Sequence, residues 1–230
     1  MSVRRALATL GAMSKPQVGV VLAGCGVFDG AEIREAVLTL LALDRAGAEA
    51  RCFAPDMPQA HVVDHLAGAP AAGETRNVLV EAARIARGDI APLAQASAAD
   101  LDAIIVPGGF GAAKNLCTFA FDGPNCTVQP DLARILGDMH AAEKPIGLIC
   151  IAPVIGAKLF QAAVTIGNDP GTADAIRAMG GTAVDKAVTE IHVDETHRLV
   201  TTPAYMYDAR LGDIATGIGA LVEAVLKLVR

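Results

Sequence analysis

The sequence contains no tryptophan, and aromatic residues make up only 3% of its 230 residues. Apolar residues nevertheless make up 53%, so the core must be built from alanine, valine, leucine and isoleucine. Such a core is typical of parallel strands that are covered by helices on both faces. A chain of this length buries about 70–75% of its unfolded surface and needs no disulfide or metal to hold it together.

Basic stripes and long apolar runs are also missing. Arg4 and Arg5 form the only adjacent basic pair and the net charge is −6, so no nucleic-acid partner is expected. No apolar run approaches the ~20 residues of a membrane span, so no membrane partner is expected either.

Cysteine usage indicates the compartment. The five cysteines are odd in number and include no C-x-x-C pair, which argues against a disulfide framework and a structural zinc site. Free thiols indicate a reducing compartment, and we expect a cytoplasmic protein. Residues 1–13 slightly resemble a targeting segment because they carry two arginines, but their apolar part is too short for a secretory signal. We interpret them as an extended N-terminal tail.

Short β-branched runs alternate with amphipathic segments along the chain, and this alternation predicts the fold class. Strands are predicted at 17–23, 48–53, 89–93, 102–106, 145–149 and 164–167, with a hairpin at 189–194 and 198–202. Helices are predicted at 31–45, 75–87, 128–142, 151–160, 171–179 and 214–230. We therefore expect an α/β protein with a doubly wound, mostly parallel sheet and helices on both faces. No linker or repeat divides residues 14–230, so we expect a single domain there.

Cys150 directly follows the predicted strand at 145–149 and directly precedes a predicted helix. A nucleophile at such a sharp strand-to-helix turn forms a nucleophile elbow, which lifts the side chain out of the sheet. The helix N-terminus should also lower the pKa of the thiol and favour the thiolate. The alternative is a buried structural cysteine, a common fate of free thiols. We take Cys150 as the candidate nucleophile.

Two further groups are expected at the carboxyl edge of the sheet, where ligand sites form in doubly wound folds. Gly108 and Gly109 follow a central strand, and their backbone N–H groups could hold an oxyanion above the cysteine. Glu32 and Glu35 share a helix face near the end of the first strand. Asp29 and Glu32 have the spacing of a capping box, so we interpret Glu32 as a cap. Glu35 is either a solvated first-turn carboxylate or a proton carrier.

The remaining motifs favour no cofactor and no metal. Segment 24–30 approaches the dinucleotide fingerprint G-x-G-x-x-G, but Asp29 stands at its third glycine position, where a carboxylate would repel a pyrophosphate. Cys25 in this segment is either a second reactive thiol or a small residue that fills the loop. His61 and His65 have i, i+4 spacing, but no further ligand pattern joins them, so we interpret them as part of a surface helix.

Val106–Gly109 (VPGG) and Ile149–Pro153 (ICIAP) resemble the PfpI-like branch of the class I glutamine amidotransferase-like superfamily. Longer motifs narrow the resemblance to the ElbB family of isoprenoid-biosynthesis proteins with amidotransferase-like domains, which are also described as glyoxalases. These motifs are 24–30 (GCGVFDG), 74–79 (ETRNVL), 108–116 (GGFGAAKNL) and 201–206 (TTPAYM). The resemblance runs from about residue 16 to the end of the chain.

The resemblance implies a flavodoxin-like sheet and a cofactor-independent glyoxalase. Such a lyase converts methylglyoxal or glyoxal, without glutathione, into a 2-hydroxy acid through a hemithioacetal on the cysteine. The expected partners are therefore a small 2-oxoaldehyde substrate and a second copy of the chain in a homodimer. The candidate site residues are Cys150 and Glu35 as catalytic residues, Gly108, Gly109 and Ile151 as backbone oxyanion donors, and Cys25, Glu32, Asn115 and Tyr205 as pocket residues.

The chain departs from the superfamily pattern at the elbow. Ile151 stands where many relatives have histidine, and 201–206 lacks the late histidine and glutamate of a glutaminase triad. Peptidase and glutaminase activities are therefore not expected, and glyoxalase turnover is expected to be slow. The alternative is a non-enzymatic redox-sensing or regulatory module that uses an oxidisable Cys150.

Overall fold

The computed structural model describes residues 15–229, so the tail predicted at residues 1–13 lies outside the described residues. The strands are β1 Gln17–Val21, β2 Glu49–Ala54, β3 Val63–Asp64, β4 Ala69–Pro70, β5 Ile90–Pro92, β6 Ala103–Val106, β7 Ile146–Ile149, β8 Ala163–Val164, β9 Thr182–Ala183, β10 His192–Asp194 and β11 Leu199–Thr202. The α-helices are α1 Ile33–Arg45, α2 Val78–Ile85, α3 Phe110–Lys114, α4 Phe119–Asp122, α5 Pro130–Ala141, α6 Pro153–Phe160, α7 Pro170–Ala178 and α8 Leu211–Leu228.

Seven strands form one sheet in the order β10-β11-β7-β6-β1-β2-β5. Every pairing in this sheet is parallel except that of β10 with β11, which form the predicted hairpin. The strand that contains Pro92 lies at the edge, as its missing N–H donor predicts. The predicted α/β fold, a flavodoxin-like and mostly parallel sheet with helices on both faces, is confirmed.

The core lies between the sheet and its helices. Every residue of β6 and β7 is buried, because helices cover both faces of these central strands. Helix α1 packs between α8 and α2 on one face, while α5 and α6 pack against β6 and β7 on the other. Gly147 in β7 allows α8 to approach closely, since a methyl group there would lie 3.0 Å from Leu221.

Two local predictions are wrong. Residues 61–65 do not form a helix, because Val63–Asp64 pairs with Ala69–Pro70 in a short antiparallel hairpin. Asp29 does not cap α1, because its carboxylate instead accepts a hydrogen bond of 2.7 Å from Val63 N in that hairpin. Glu32 is the N-cap of α1, and its carboxylate accepts from Glu35 N at 2.7 Å. Among residues 15–229, no helix combines the length and the apolar character that a membrane crossing needs.

Candidate functional site

Cys150 forms the turn between β7 and α6. Its φ is +63°, in the left-handed region that non-glycine residues rarely adopt, and its N–H donates to Thr202 O at 2.9 Å. This bond ties the elbow to the carboxyl end of β11. Helix α6 begins at Pro153, two residues later than predicted, and Cys150 is only 7% exposed. The sulfur therefore lies at the carboxyl edge of the sheet but is nearly closed off from solvent.

Glu35 lies in the first turn of α1 and is completely buried, so it is not the solvated carboxylate that a first-turn position also allowed. Its Oε2 accepts a hydrogen bond from Gly108 N at 2.9 Å, and its Oε1 accepts from Tyr205 N at 3.2 Å. The carboxyl group also hydrogen-bonds the thiol of Cys150. Two backbone donors thus orient the carboxyl group against the sulfur.

The glycines after β6 allow these groups to meet. A methyl group on Gly108 would lie 2.5 Å from Cys150 Cβ and 2.8 Å from Glu35 Oε2, distances that real side chains do not tolerate. Gly109 has a φ of +94°, and a methyl group on it would lie 2.4 Å from Glu32 N. The N–H groups of Gly109 and Ile151 donate to the sulfur of Cys150. Both backbone donors therefore point at the sulfur of Cys150.

Burial controls protonation at this site. Burial, together with a smaller contribution from the nearby charge of Glu32, raises the pKa of Glu35 to about 7. Burial also raises the pKa of the Cys150 thiol well above its usual value, and the charge of Glu35 acts in the same direction. The prediction that the helix N-terminus lowers this pKa is wrong, because desolvation and the neighbouring carboxylate outweigh the dipole. Two contacting anions are unfavourable in a buried site, so the pair retains at least one proton near neutral pH.

The candidate pocket residues have different surroundings. Asn115 is buried, and its amide donates to Ala23 O and Asp29 O and accepts from Ala60 N, so it braces the loop after β1. Cys25 is half-buried, and burial, followed by the charge of Glu81, raises the pKa of its thiol.

Tyr205 contacts Glu35 through its backbone N–H, and its side chain contacts Arg34, a residue that sequence reasoning missed. Arg34 Nη1 donates to the Tyr205 hydroxyl at 3.2 Å, and the guanidinium lies 5.9 Å from the centre of the tyrosine ring. Nothing in the local sequence distinguishes Arg34 from any solvated arginine in a first helical turn. Ala204, which precedes Tyr205, has φ +43°, so the loop that presents the Tyr205 N–H is a strained one.

Histidines and metals take no part in the contacts described above. Within residues 15–229, no group of three or more histidine, cysteine, aspartate or glutamate side chains could hold a metal ion. His140 and His197 line a cavity of about 450 Å³ at the amino ends of β7 and β11, at the edge of the sheet opposite the one where Cys150 lies. The contacts at the carboxyl edge of the sheet bring together the cysteine, the buried glutamate and backbone donors.

Comparisons with known proteins identify relatives over nearly the whole chain. No family model matches. The chain is 51% identical to the ES1 protein homolog, mitochondrial, of Rattus norvegicus, over 99% of this chain and 89% of that protein. It is 53% identical to the human glutamine amidotransferase-like class 1 domain-containing protein 3, mitochondrial, over 92% of this chain and 83% of that protein. A third relative, the ES1 protein, mitochondrial, of Danio rerio, is 35% identical over 92% and 85% of the two chains.

Solved structures agree with these relatives. An isoprenoid biosynthesis protein with amidotransferase-like domain from Ehrlichia chaffeensis is 38% identical, with a TM-score of 0.85 over 92% of this chain and 99% of that chain. Drosophila melanogaster DJ-1beta shares the fold, with a TM-score of 0.54 and 19% identity over 93% and 95% of the two chains.

The relatives also correct one expectation and establish the family. The expectation of a cytoplasmic protein is wrong, because the three curated relatives are named as mitochondrial proteins. Free thiols indicate only a reducing environment, which is not unique to the cytoplasm. With identities of 51% and 53% over nearly its whole length, the chain belongs to the family of glutamine amidotransferase-like class 1 domain proteins that contains the ES1 homologues.

Proposed function

We propose that this protein is a glutathione-independent glyoxalase that converts methylglyoxal or glyoxal into the corresponding 2-hydroxy acid. The observation that carries the proposal is the buried contact between Cys150 and Glu35, a nucleophile beside a carboxyl group whose pKa is about 7. A general acid–base works best when its pKa lies near the working pH, because it can then both give and take a proton. Glu35 meets that condition.

The exposure of the sulfur supports a small substrate. Cys150 is only 7% exposed, so a reactant must be small to reach it. Methylglyoxal and glyoxal are among the smallest 2-oxoaldehydes. Their aldehyde carbon is a good electrophile for a thiolate, and the adjacent carbonyl makes the neighbouring C–H bond acidic.

The first step is addition. The Glu35 carboxylate takes the proton of the Cys150 thiol as the sulfur attacks the aldehyde carbon, and the C–O double bond becomes a C–O single bond. The N–H groups of Gly109 and Ile151, which hold the sulfur in the resting site, stabilise the oxygen as it gains charge. Glu35 gives its proton to that oxygen, and the product is a neutral hemithioacetal.

The second step moves a proton between adjacent carbons. The Glu35 carboxylate removes the proton from the former aldehyde carbon, which gives an enediol, and returns a proton to the neighbouring carbon. The former aldehyde carbon is then a thioester. Water hydrolyses this thioester with Glu35 as the base, the 2-hydroxy acid leaves, and the thiol is restored. Atoms balance as one 2-oxoaldehyde plus one water, with no external oxidant or reductant.

The test compares wild type with Glu35→Gln. We expect the variant to lose turnover by roughly 10²- to 10⁴-fold, the usual contribution of a positioned acid–base group. Glu223→Gln is the matched control, because Glu223 is a solvent-exposed glutamate on α8 and should leave turnover unchanged. Lactate formed from methylglyoxal in D₂O should carry carbon-bound deuterium at C2, because the enediol is reprotonated from an exchangeable site.

The Gln variant also needs a folding check. Its amide nitrogen cannot accept a hydrogen bond, so it loses one of the bonds from Gly108 N and Tyr205 N. Circular dichroism and alkylation of Cys150 show whether the fold and the nucleophile persist. Wild-type protein that forms no lactate, yet whose Cys150 is rapidly oxidised by peroxide, would contradict the glyoxalase proposal and support a redox sensor.

A further inference from the structure

A second pair of cysteines lies outside the candidate site. Cys117 and Cys126 flank the segment 118–125, which contains α4 and a short 3₁₀ turn. Cys117 pairs with Val128 in an isolated antiparallel bridge, with Thr118 N donating to Thr127 O at 3.0 Å. This register draws the ends of the segment together. The two thiols are buried, 3% and 1% exposed, and lie in hydrogen-bonding contact, and Cys117 Sγ also donates to Ala112 O at 3.3 Å.

The surroundings make the two sulfurs unequal. The hydrogen bond from Cys117 lowers the pKa of Cys126 to about 7, and the ammonium of Lys158 adds to this effect. Lys158 is held in place by α6, and its Nζ donates to Pro124 O at 3.1 Å. The same hydrogen bond and burial raise the pKa of Cys117. The lowered pKa of Cys126 favours its thiolate, and a thiolate in contact with a thiol is the state from which disulfides form.

We propose that Cys117 and Cys126 are an oxidisable dithiol that closes to an intramolecular disulfide when the protein reacts with a hydroperoxide. The Cys126 thiolate attacks the outer peroxide oxygen, the O–O bond breaks, and water or an alcohol leaves. The resulting sulfenic acid is attacked by the Cys117 sulfur, and water leaves as the S–S bond forms. In total two thiols are oxidised and one hydroperoxide is reduced, so the electrons balance.

The other cysteines are less suited to this reaction. Burial and then the charge of Asp89 raise the pKa of Cys52 to about 11, and burial raises that of Cys25. Cys150 has Glu35 and backbone donors as its hydrogen-bond partners. The dithiol shares no residue with the Cys150 site, so the proposal that it is oxidised can be tested independently of the proposed glyoxalase activity.

The chain offers a direct test by mass spectrometry. Trypsin cleaves after Lys114 and Arg134 and leaves both cysteines on one peptide, from Asn115 to Arg134. Wild-type protein is treated with hydrogen peroxide, unfolded in iodoacetamide without reductant, and digested. We expect this peptide to lose both alkyl groups and to be lighter by two hydrogen atoms than the reduced peptide. Dithiothreitol before alkylation should restore both alkyl groups.

Matched variants identify the partners. Cys52→Ser should leave the disulfide unchanged, whereas Cys126→Ser should abolish it and leave Cys117 fully alkylated. The proposal is overturned if the wild-type peptide stays alkylated at both positions while Cys150 is oxidised. It is also overturned if Cys126 gains oxygen atoms without linking to Cys117. The wild-type measurement decides by itself, even if Cys126→Ser does not fold.

Discussion

Replacing Gly108 with alanine tests the geometry of the site most directly, because the new methyl carbon would enter the contact between the two candidate catalytic residues. It would lie 2.5 Å from Cys150 Cβ and 2.8 Å from Glu35 Oε2, whereas ordinary contact begins at 3.4 Å. The methyl carbon is thus about 1 Å too close, and both residues are buried, so the elbow and α1 must separate by a comparable distance. A misplacement of about 1 Å costs roughly 10²-fold in rate.

We therefore expect Gly108→Ala to lower turnover by about 10²-fold. Overpacking should also lower the free energy of unfolding by about 1–3 kcal/mol. Gly137→Ala is the matched control: Gly137 is exposed in the middle of α5 and a methyl group there meets nothing within 4 Å. Alanine in an exposed helix interior should stabilise the fold by about 0.5–1 kcal/mol and leave turnover unchanged.

The assays are lactate formation, urea unfolding and the rate at which iodoacetamide alkylates Cys150. The alkylation rate reports on the site even without turnover, because separation of Glu35 from the sulfur changes the protonation of the thiol. If Gly108→Ala matches Gly137→Ala in turnover and in alkylation, the close approach of Glu35 to Cys150 does not control the chemistry, and the reasoning above is refuted.

Further predictions concern charge and hydrogen bonding around the same carboxyl group. Glu35 has an ordinary pKa of 4.5 that folding raises to about 7, so between these values the unfolded chain releases a proton that the folded chain keeps. The free energy of unfolding of the wild type should therefore fall as pH rises through this window. Measured by urea unfolding, the free energy of unfolding of Glu35→Gln should increase relative to that of the wild type by ~3 kcal/mol from pH 5 to pH 8. Glu223→Gln should show no such increase. Glu32→Gln keeps an acceptor for the first turn of α1 but removes the charge that raises the Glu35 pKa, so the pH profile of turnover should move to lower pH; an unmoved profile would contradict this cause. Tyr205→Phe removes only the exposed hydrogen bond to Arg34 and keeps the backbone N–H that donates to Glu35. The transition-state energy should therefore change by no more than about 1 kcal/mol. A loss of turnover as large as that of Glu35→Gln would assign the hydroxyl a chemical role.

The amino-acid pattern alone predicts the sheet and the elbow. The central strands β6 and β7 are continuous apolar runs that stop at Pro107 and at Cys150, so their ends are predicted to within one residue. Pro92 predicts the edge strand, because a residue without an N–H cannot sit inside a ladder. These features depend on neighbours in sequence, which is why local patterns identify them.

Contacts between distant segments had to come from the tertiary structure. Glu35 meets Gly108 across 73 residues and Tyr205 across 170, and these bonds bury the carboxyl group beside the sulfur. The family resemblance pointed to Glu35, but the direction of the Cys150 pKa shift was mispredicted, because a helix dipole is visible in sequence and desolvation is not. The sequence by itself determined the fold class and the place of the candidate nucleophile at a strand-to-helix turn, since both follow from local periodicity. Only the tertiary structure decided its protonation, its partners and the contact of Cys117 with Cys126, because burial and hydrogen bonding depend on which distant segments pack together.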